Sequence, residues 1–520
     1  MTVASLSALE SVAAETSPYT PHLPVHIVGD ENFTSENGVT RGSGSPSDPF
    51  VIEGWEIDAS YRDGIEIGDT TVSFVIQHIY IHSSSPFYRG VDLESSQGGR
   101  VSDSVISGTW CGVCTRFSSV SITRNVILGA RYGVYSNSTG DVSIVNNSIS
   151  GFIYGIMAEQ TDSIAITDNT LADGVEGISL EEIDDATIVA NSVSTNEYGI
   201  NLEESRNASV RGNVLSVKIG TGIYLMSDSA SIMSGNNVSN MGYGIFLGDS
   251  NGTAISKNYV VSNQAGLYVF ESSYIAVTNN TLMRNDWGIV LNASSPVSVY
   301  HNDFVSNTVQ SFDNRIAFNH WDNGYPSGGN YWSDYNGVDQ YSGFHQDQPG
   351  PDGIGDSGYY VSQAANDDYP LMTRHGLANP PVAAFSLSPT GGSTLTGFTA
   401  DASSSSDAET ATGDLEVRWD WEGDGVWDTN WSIQKSAQHH YSTDGVRRIR
   451  LQVRDADGLM GLATREVTIR ETDGWNNPLW WLILAIALDA AVIATTIAIV
   501  IWRRRRRRQA SVSESSQKIE

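Results

Sequence analysis

The segment Tyr198-Gly199-Ile200-Asn201-Leu202 opens a unit that continues through a polar turn to Ala208-Ser209-Val210-Arg211 and ends at Asn213. Apolar side chains alternate in both halves of the unit, as they do in half-buried strands. A Gly followed by an apolar residue recurs every 21 to 23 residues, at Gly90, Gly112, Gly133, Gly155, Gly177, Gly199, Gly222, Gly244, Gly266 and Gly288. This period predicts the coils of a β-solenoid and does not match propeller blades or leucine-rich repeats.

An Asn follows most of these glycines by 14 residues, and it follows Gly112 by 13 in the one shortened coil. Since neighbouring coils stack about 4.8 Å apart, these side chains can form a hydrogen-bonded ladder. The predicted fold class is all-β: a right-handed parallel β-helix over residues 26–320. An N-terminal segment, residues 1–25, precedes it, and an acidic cap rich in Gly and aromatic residues, 321–375, follows it.

Two flanking segments carry a family resemblance. Residues 42–55, GSGSPSDPFVIEGW, and residues 329–335, GNYWSDY, resemble the archaeal branch of the NosD-type β-helix family. The resemblance covers about residues 25–373 and implies the β-helix fold. The family takes its name from a periplasmic protein that assists copper assembly, and related coils occur in carbohydrate-binding proteins and sugar hydrolases. Fold transfers between such proteins more safely than activity does.

Residues 380–471 resemble a PKD (polycystic kidney disease) domain, in particular the segments 419–425, WDWEGDG, and 453–455, VRD. The resemblance implies an Ig-like β-sandwich that serves surface proteins as a stalk or adhesion module. Residues 479–502 are mostly apolar and are followed by six arginines, 503–508. This pattern predicts one transmembrane helix anchored in the lipid bilayer, with residues 503–520 as a basic cytoplasmic tail.

The predicted topology places the bulk of the chain outside the cell membrane, although residues 1–15 lack the features of a signal peptide. Asp489, the one charge in the predicted helix, is either a contact to a partner helix or a protonated residue of a simple anchor. The formal charge is −31, and it is −36 without the final 18 residues, which carry six Arg, one Lys and two Glu. Such a surface repels nucleic acid, which excludes it as a partner.

Glu159, Glu181 and Glu203 each follow a repeating Gly by four residues, so the coils stack them in one column. Carboxylates about 4.8 Å apart repel unless they are protonated, paired or bridged by a cation. The column is therefore a possible Ca²⁺ site or a solvated acidic face. With Asp184 in the following turn, Glu181 and Glu203 are also candidates for the paired acid and base of glycoside cleavage.

A second column lies one residue before the glycines and is mostly aromatic: Tyr132, Tyr154, Tyr198, Tyr243 and Trp287. Outward rings could stack on sugars, whereas inward rings would only fill the core. The sequence does not determine the direction, because the adjacent Gly has no side chain. These five residues are the candidate ligand-binding set.

Further carboxylates lie near glycine turns, at Asp352 and Asp356 in the cap and at Asp401, Asp420 and Asp424 in the PKD-like segment. Oxygen ligands on tight loops suit Ca²⁺, and solvated loops or turn capping are the alternatives. Cys111 and Cys114 favour a disulfide over copper, because no Met-rich or His-rich tract accompanies them. His78 and His82 would lie roughly 13 Å apart on a strand and cannot share one ion.

Three functions follow from these features. The first is a non-catalytic surface module that binds extracellular glycans or surface proteins. The second is a polysaccharide hydrolase, lyase or epimerase on the same coil; few cations flank the Glu column, which disfavours a lyase more than a hydrolase. The third is a NosD-like copper-binding or maturation protein. The lack of a definite catalytic set favours the first.

Overall fold

The structure is a computed structural model that describes residues 19–138, 140–314, 319–362, 365–375, 381–407, 410–423, 425, 427–455 and 459–470. Parallel coils run from Thr20–His22 to Tyr331–Trp332, which confirms the predicted parallel β-helix. Their sheet joins 37 strands of the described residues, of which Val39–Arg41 pairs antiparallel with Phe50–Glu53. The described residues include no helix with the length and apolar character that a membrane crossing requires. The predicted membrane helix with Asp489, and the basic tail, lie outside the described residues.

Each coil contributes strands to three columns, here called faces A, B and C. Face A holds the strand at each repeating Gly. It comprises Val25–Val28, Ile65–Thr70, Cys111–Arg116, Tyr132–Asn137, Tyr154–Glu159, Thr221–Met226, Tyr243–Gly248, Ala265–Phe270, Trp287–Asn292 and Val309–Asp313. Three longer strands turn a corner and also belong to a second face: Arg89–Ser102, Thr170–Glu181 and Ser192–Glu203. Face A carries the candidate residues of both columns.

Faces B and C complete the coils. Face B comprises Phe50–Glu53, Phe74–Gln77, Ser119–Thr123, Asp141–Val145, Ser163–Thr167, Ala186–Val189, Ser209–Arg211, Ile232–Ser234, Ala254–Ser256, Ile275–Thr278 and Val297–Tyr300. Face C comprises Thr20–His22, Trp55–Asp58, Tyr80–His82, Val105–Ser107, Val126–Leu128, Ser148–Ser150, Val214–Val217, Asn237–Ser239, Tyr259–Val261, Thr281–Met283, Asp303–Val305 and Tyr331–Trp332. Equivalent residues of successive coils pair in register, as Ile156, Ile178 and Ile200 do on face A.

The repeating Gly is required by close packing. A Cβ at Gly177 would lie 2.4 Å from Val193 Cγ1 and 2.5 Å from the carbonyl oxygen of Gly199. Both distances are far below van der Waals contact, so a larger residue would push the coils apart. The alternating Ile, Val and Leu side chains beside the glycines point inward and form one continuous core.

The predicted Asn ladder is confirmed. Asn191 donates from its backbone N to Asn213 Oδ1 at 2.9 Å and from Nδ2 to the same oxygen at 3.0 Å. Its Nδ2 also donates to the carbonyl oxygen of Ile166 at 2.9 Å. The ladder runs from Asn125 to Asn330, one step beyond the predicted members. A second, shorter ladder of Asn263, Asn285 and Asn307 was not predicted.

Both ends of the coil are closed by aromatic side chains. At the N-terminal end, Phe33 stacks on Phe50 at 4.9 Å, near the short helices Asp30–Asn32 and Ser35–Asn37 and the strand Val39–Arg41. At the C-terminal end, Trp332 stacks between Phe304 and Tyr359 at 4.3 and 4.2 Å. The strands Tyr341–Ser342, Gln348–Pro349, Tyr359–Ser362 and Ala365–Asp367 complete this cap. The coil therefore extends beyond the predicted 26–320 at both ends.

Seven further strands form a three-stranded and a four-stranded sheet: Ser386–Ser388, Gly391–Ser393, Gly397–Asp401, Glu416–Asp420, Ser436–His440, Gly445–Arg454 and Met460–Arg470. The chain divides into two compact units. Among the described residues, one contains the coil with Ala400–Ala437 and Arg448–Arg465, and the other contains Leu387–Thr399, Gln438–Arg447 and the chain from Glu466. The identification of these strands as a PKD domain stays a prediction.

Candidate functional site

The outer side of face A presents three columns of side chains to solvent. In the Ser192–Glu203 strand, Ile200 and Leu202 are fully buried in the core. Because side chains alternate along a strand, Asn201 and Glu203 lie on the opposite, outer side. The outer columns therefore hold the residues one before, two after and four after each Gly.

The Glu column forms as predicted. The coil pairs Glu159 with Glu181 and Glu181 with Glu203 in register. Glu159 accepts hydrogen bonds from Tyr135 Oη and Asn137 Nδ2, both at 3.0 Å. Burial and the nearby Glu159 raise the pKa of Tyr135 to about 12. Partial desolvation, followed by repulsion from the neighbouring glutamates, raises the pKa of Glu181 above its usual value.

Asp184 does not join this column. It lies in the next turn, where its Oδ1 accepts a hydrogen bond from Arg206 Nε at 3.1 Å, and both side chains are largely exposed. Glu182 and Glu204 occupy the corners after the column, with φ of 54° and 51°. The structure thus brings Glu181 and Glu203 together and leaves the third catalytic candidate outside the site.

The aromatic column one residue before the glycines is broken into parts. Tyr132 and Tyr154 stack at 5.2 Å with a 9° interplanar angle. Glu176 occupies the next position and separates Tyr154 from Tyr198 in the register of the coils. Further along, Ala265 lies between Tyr243 and Trp287, whose side chains are 37% and 38% exposed. The rings of Tyr243 and Trp287 thus reach solvent.

A second aromatic column, two residues after the glycines, was not predicted from the sequence. Tyr224 stacks on Phe246 at 5.0 Å and Phe246 on Tyr268 at 5.6 Å, each with a 9° interplanar angle. Phe312 occupies the same position in the last coil. Aligning the coils on their glycines would have found these residues, because Tyr224, Phe246 and Tyr268 all lie two positions after a repeating Gly.

The two aromatic columns enclose a cleft. Because Ala265 is small, the space between the Tyr243 and Trp287 rungs stays open. The cleft has a volume of about 310 Å³ and is lined by Tyr243, Gln264, Ala265, Tyr268, Trp287, Val290 and Phe312. Its lining is mostly apolar with a few polar atoms, as is usual for small-molecule sites in proteins.

The predicted calcium ligands outside face A accept hydrogen bonds from backbone N–H groups of nearby turns and loops. Asp352 accepts from the backbone N of Ile354 at 3.1 Å, and Asp356 accepts from that of Tyr341 at 3.0 Å. Asp401 accepts from the backbone N and hydroxyl of Ser403, and these bonds lower the pKa of Asp401. Asp420 is buried and accepts from the backbone N of Gly423 and Gly425. Asp424 lies outside the described residues.

Metal-binding side chains are dispersed in the part of the chain that the structure describes, where no group of three or more His, Cys, Asp or Glu could hold a metal ion. The sulfur atoms of Cys111 and Cys114 are bonded to each other, and both side chains are buried. His78 lies at a turn with φ of 48°, and His82 lies on face C, 3.5 Å from a carboxylate oxygen of Glu56. Calcium binding by the Glu column stays a prediction.

Solved structures similar to this chain include a carbohydrate-binding module, an alginate epimerase and a PKD1 domain. A carbohydrate-binding module of the β-sandwich superfamily is 25% identical with a TM-score of 0.17; the match covers 18% of this chain and only 36% of the other. A mutant of the periplasmic alginate epimerase AlgG is 17% identical with a TM-score of 0.37, over 58% and 83%. The PKD1 domain of Vibrio anguillarum Epp is 23% identical with a TM-score of 0.15, over 18% and 100%.

No curated protein matches the chain. The protein family described as periplasmic copper-binding protein (NosD) matches residues 25–197 and 172–337. These overlapping ranges include more than half of the chain and follow the coil from its first strands to its C-terminal cap. The chain therefore belongs to the NosD family.

Proposed function

We propose that this protein is exported, anchored in the cell membrane through residues 479–502, and binds extracellular glycans on face A without cleaving them. The observation that carries the proposal is the open aromatic cleft between Tyr243 and Trp287. Aromatic rings provide flat apolar surfaces on which sugar rings stack. The family's description as periplasmic supports export, and the apolar run followed by six arginines supports the anchor.

Replacement of Trp287 tests the proposal. A panel of neutral and amino-bearing oligosaccharides would be screened for binding to the full chain, and the best ligand would be titrated by calorimetry. We expect Trp287→Ala to weaken its affinity about tenfold or more, because loss of a stacking aromatic ring costs about 1–2 kcal/mol. Tyr61→Ala is the matched control, since Tyr61 is 84% exposed and lies outside the cleft. Unchanged affinity in Trp287→Ala would contradict the proposal.

A second candidate function is cleavage or epimerisation of a polysaccharide on the same face. Its support is the pairing of Glu181 with Glu203 in register on neighbouring coils, since two adjacent carboxyl groups can act as acid and base. Release of reducing ends or of unsaturated sugars from a polysaccharide panel would be measured with the wild type and Glu181→Gln. Product formation that this substitution abolishes would replace the binding proposal with an enzymatic one.

Copper, which the family description names, does not fit the described residues. The soft thiolates that Cu(I) prefers are not offered by Cys111 and Cys114, whose sulfur atoms are bonded to each other. The described residues also contain no cluster of three or more His, Cys, Asp or Glu that could hold a metal ion. We therefore assign no copper chemistry to this coil.

A further inference from the structure

A hydrogen-bond acceptor without a donor lies on face A beside the Glu column. The side chain of Asn201 is only 8% exposed. Its Nδ2 donates to Glu203 Oε1 at 3.2 Å and to Ser179 Oγ at 3.5 Å. A carboxylate only accepts, so the amide must turn its NH₂ group toward Glu203. Asn201 Oδ1 is then buried with no partner among the described residues, and leaving such an atom unpaired is costly.

The carboxylates around Asn201 also lack partners of opposite charge. Glu176 lies one coil before Tyr198, and Glu181 lies one coil before Glu203. Among the described residues, none of Glu176, Glu181 and Glu203 forms an ion pair. Glu159, Glu182, Glu197 and Glu204 add further negative charge nearby. Arg206, which lies three residues after Glu203 in the chain, is held by Asp184.

Aromatic rings complete the surroundings of Asn201. Tyr198 precedes it on the same strand, and Tyr224 is its register partner on the next coil. The two rings meet edge to face at 5.4 Å. Burial raises the pKa of Tyr198, and the charges of Glu176, Glu197 and Glu203 raise it further. The site therefore offers acceptors, negative charge and π-faces, but few donors.

We infer that this site binds a protonated primary amine, and that the glycan recognised by face A carries free amino groups. An ammonium group has three donors and no acceptor, which matches the unpaired Asn201 Oδ1 and the carboxylates of Glu176 and Glu203. Tyr198 and Tyr224 add cation–π attraction. The inference rests on the proposed function, because it names the class of glycan that binds along face A, at a site two coils before Tyr243, the first residue that lines the aromatic cleft.

The test compares oligomers of equal length that differ at one substituent. Glucosamine oligomers, N-acetylglucosamine oligomers and cello-oligosaccharides would be titrated into the full chain at a pH that keeps the amine protonated. We expect the glucosamine oligomer to bind about tenfold more tightly than its acetylated counterpart, with the preference shrinking at high salt. Glu203→Gln and Asn201→Ala should bring the ratio of the two affinities close to one. Glu36→Gln, an exposed change near the N-terminal cap, should leave it unchanged.

The outcomes separate this inference from the proposed function. Equal binding of both oligomers, combined with a loss in Trp287→Ala, would overturn the amine site and leave glycan binding standing. Failure of every oligomer to bind would overturn both. A preference for glucosamine that survives both Glu203→Gln and Asn201→Ala would place the amine elsewhere and also overturn this site.

Discussion

Asn191 and Glu181 both belong to columns of side chains that stack on successive coils, yet the Asn column is buried and the Glu column lies on the outer side of face A, where Glu181 is exposed. An amide has a donor and an acceptor, so each Asn can donate to the Asn of the next coil while it accepts from the previous one. Carboxylates have only acceptors, so stacked glutamates repel each other. The same stacking thus stabilises one column through hydrogen bonds between its members, whereas the members of the other column cannot donate to one another.

Asp228 carries a carboxyl group, as the Glu column does, but it is buried, as the Asn column is. It occupies a buried corner column, six residues after the repeating Gly, in which Ser205, Ser250, Ser272 and Ser294 are its equivalents. Its carboxylate accepts from Ser231 Oγ at 2.9 Å and from Thr253 Oγ1 at 3.4 Å. Burial raises the pKa of Asp228 to about 6. A single carboxylate is therefore tolerated where hydroxyl groups can turn to donate.

The largest effect on stability is expected when an Asn of the ladder is replaced by an acidic residue. Asn191→Asp would set a carboxylate oxygen against the acceptors that Nδ2 now serves, namely the carbonyl oxygens of Ile166 and Val189 and Oδ1 of Asn213. We expect the free energy of unfolding to fall by about 3 kcal/mol or more, because a buried charge would lose its partners. Urea denaturation followed by circular dichroism measures the change.

Asn240→Asp is the matched control for that substitution. Asn240 is exposed at a turn with φ of 66°, a conformation that Asp also tolerates. Its change should stay within about 0.5 kcal/mol. An Asn191→Asp protein as stable as this control would refute the claim that the ladder holds the coils together.

A smaller effect is expected at Asp228, and it depends on pH. The folded pKa of about 6 lies above the usual 3.8, so the folded state binds the proton more tightly than the unfolded state does. The stabilising contribution is complete below about pH 4 and is lost as the pH rises through about 6. Asn does not titrate, so Asp228→Asn should not lose stability in this pH range. We expect its free energy of unfolding at neutral pH to exceed that of the wild type by about 1–3 kcal/mol.

The difference between wild type and Asp228→Asn, measured in urea at several pH values, isolates this residue. Burial also raises the pKa of Asp367, to about 7, and its contribution is common to both proteins. A difference that does not vary between acidic and neutral pH would show that the Asp228 carboxyl does not titrate in this range.

The smallest effect on stability is expected when a Glu of the column is replaced by an amide residue. Glu181→Gln removes the central charge between Glu159 and Glu203 and should stabilise the protein by about 0.5 kcal/mol at neutral pH and low salt. Because the folded pKa of Glu181 is raised, the gain should shrink as the pH falls toward acid, and it should also shrink in high salt. Glu36→Gln is the control, and an equal gain in it would attribute the effect to net charge alone.

Much of the fold was readable from the sequence. The spacing of Gly199 and Asn213 predicted the coil and the ladder, because a repeat that must stack at one distance imposes one residue type at each close contact. The stacking of Glu159, Glu181 and Glu203 followed from the same count. The second aromatic column of Tyr224, Phe246 and Tyr268 has the same spacing but was not predicted. Aromatic residues fill only part of that column, since Asn201 and Val290 occupy the same position in other coils.

The sequence by itself determined the period, the parallel coils and the identity of each column, because a strictly repeated spacing aligns equivalent residues whatever surrounds them. Only the tertiary structure decided which columns face outward, that Ala265 opens a cleft beside Trp287, and that Asn201 Oδ1 has no donor. Such features depend on side-chain size and direction across neighbouring coils. These features arise from contacts between residues that are about 22 positions apart in sequence but about 4.8 Å apart in space. A local sequence pattern does not reveal such contacts.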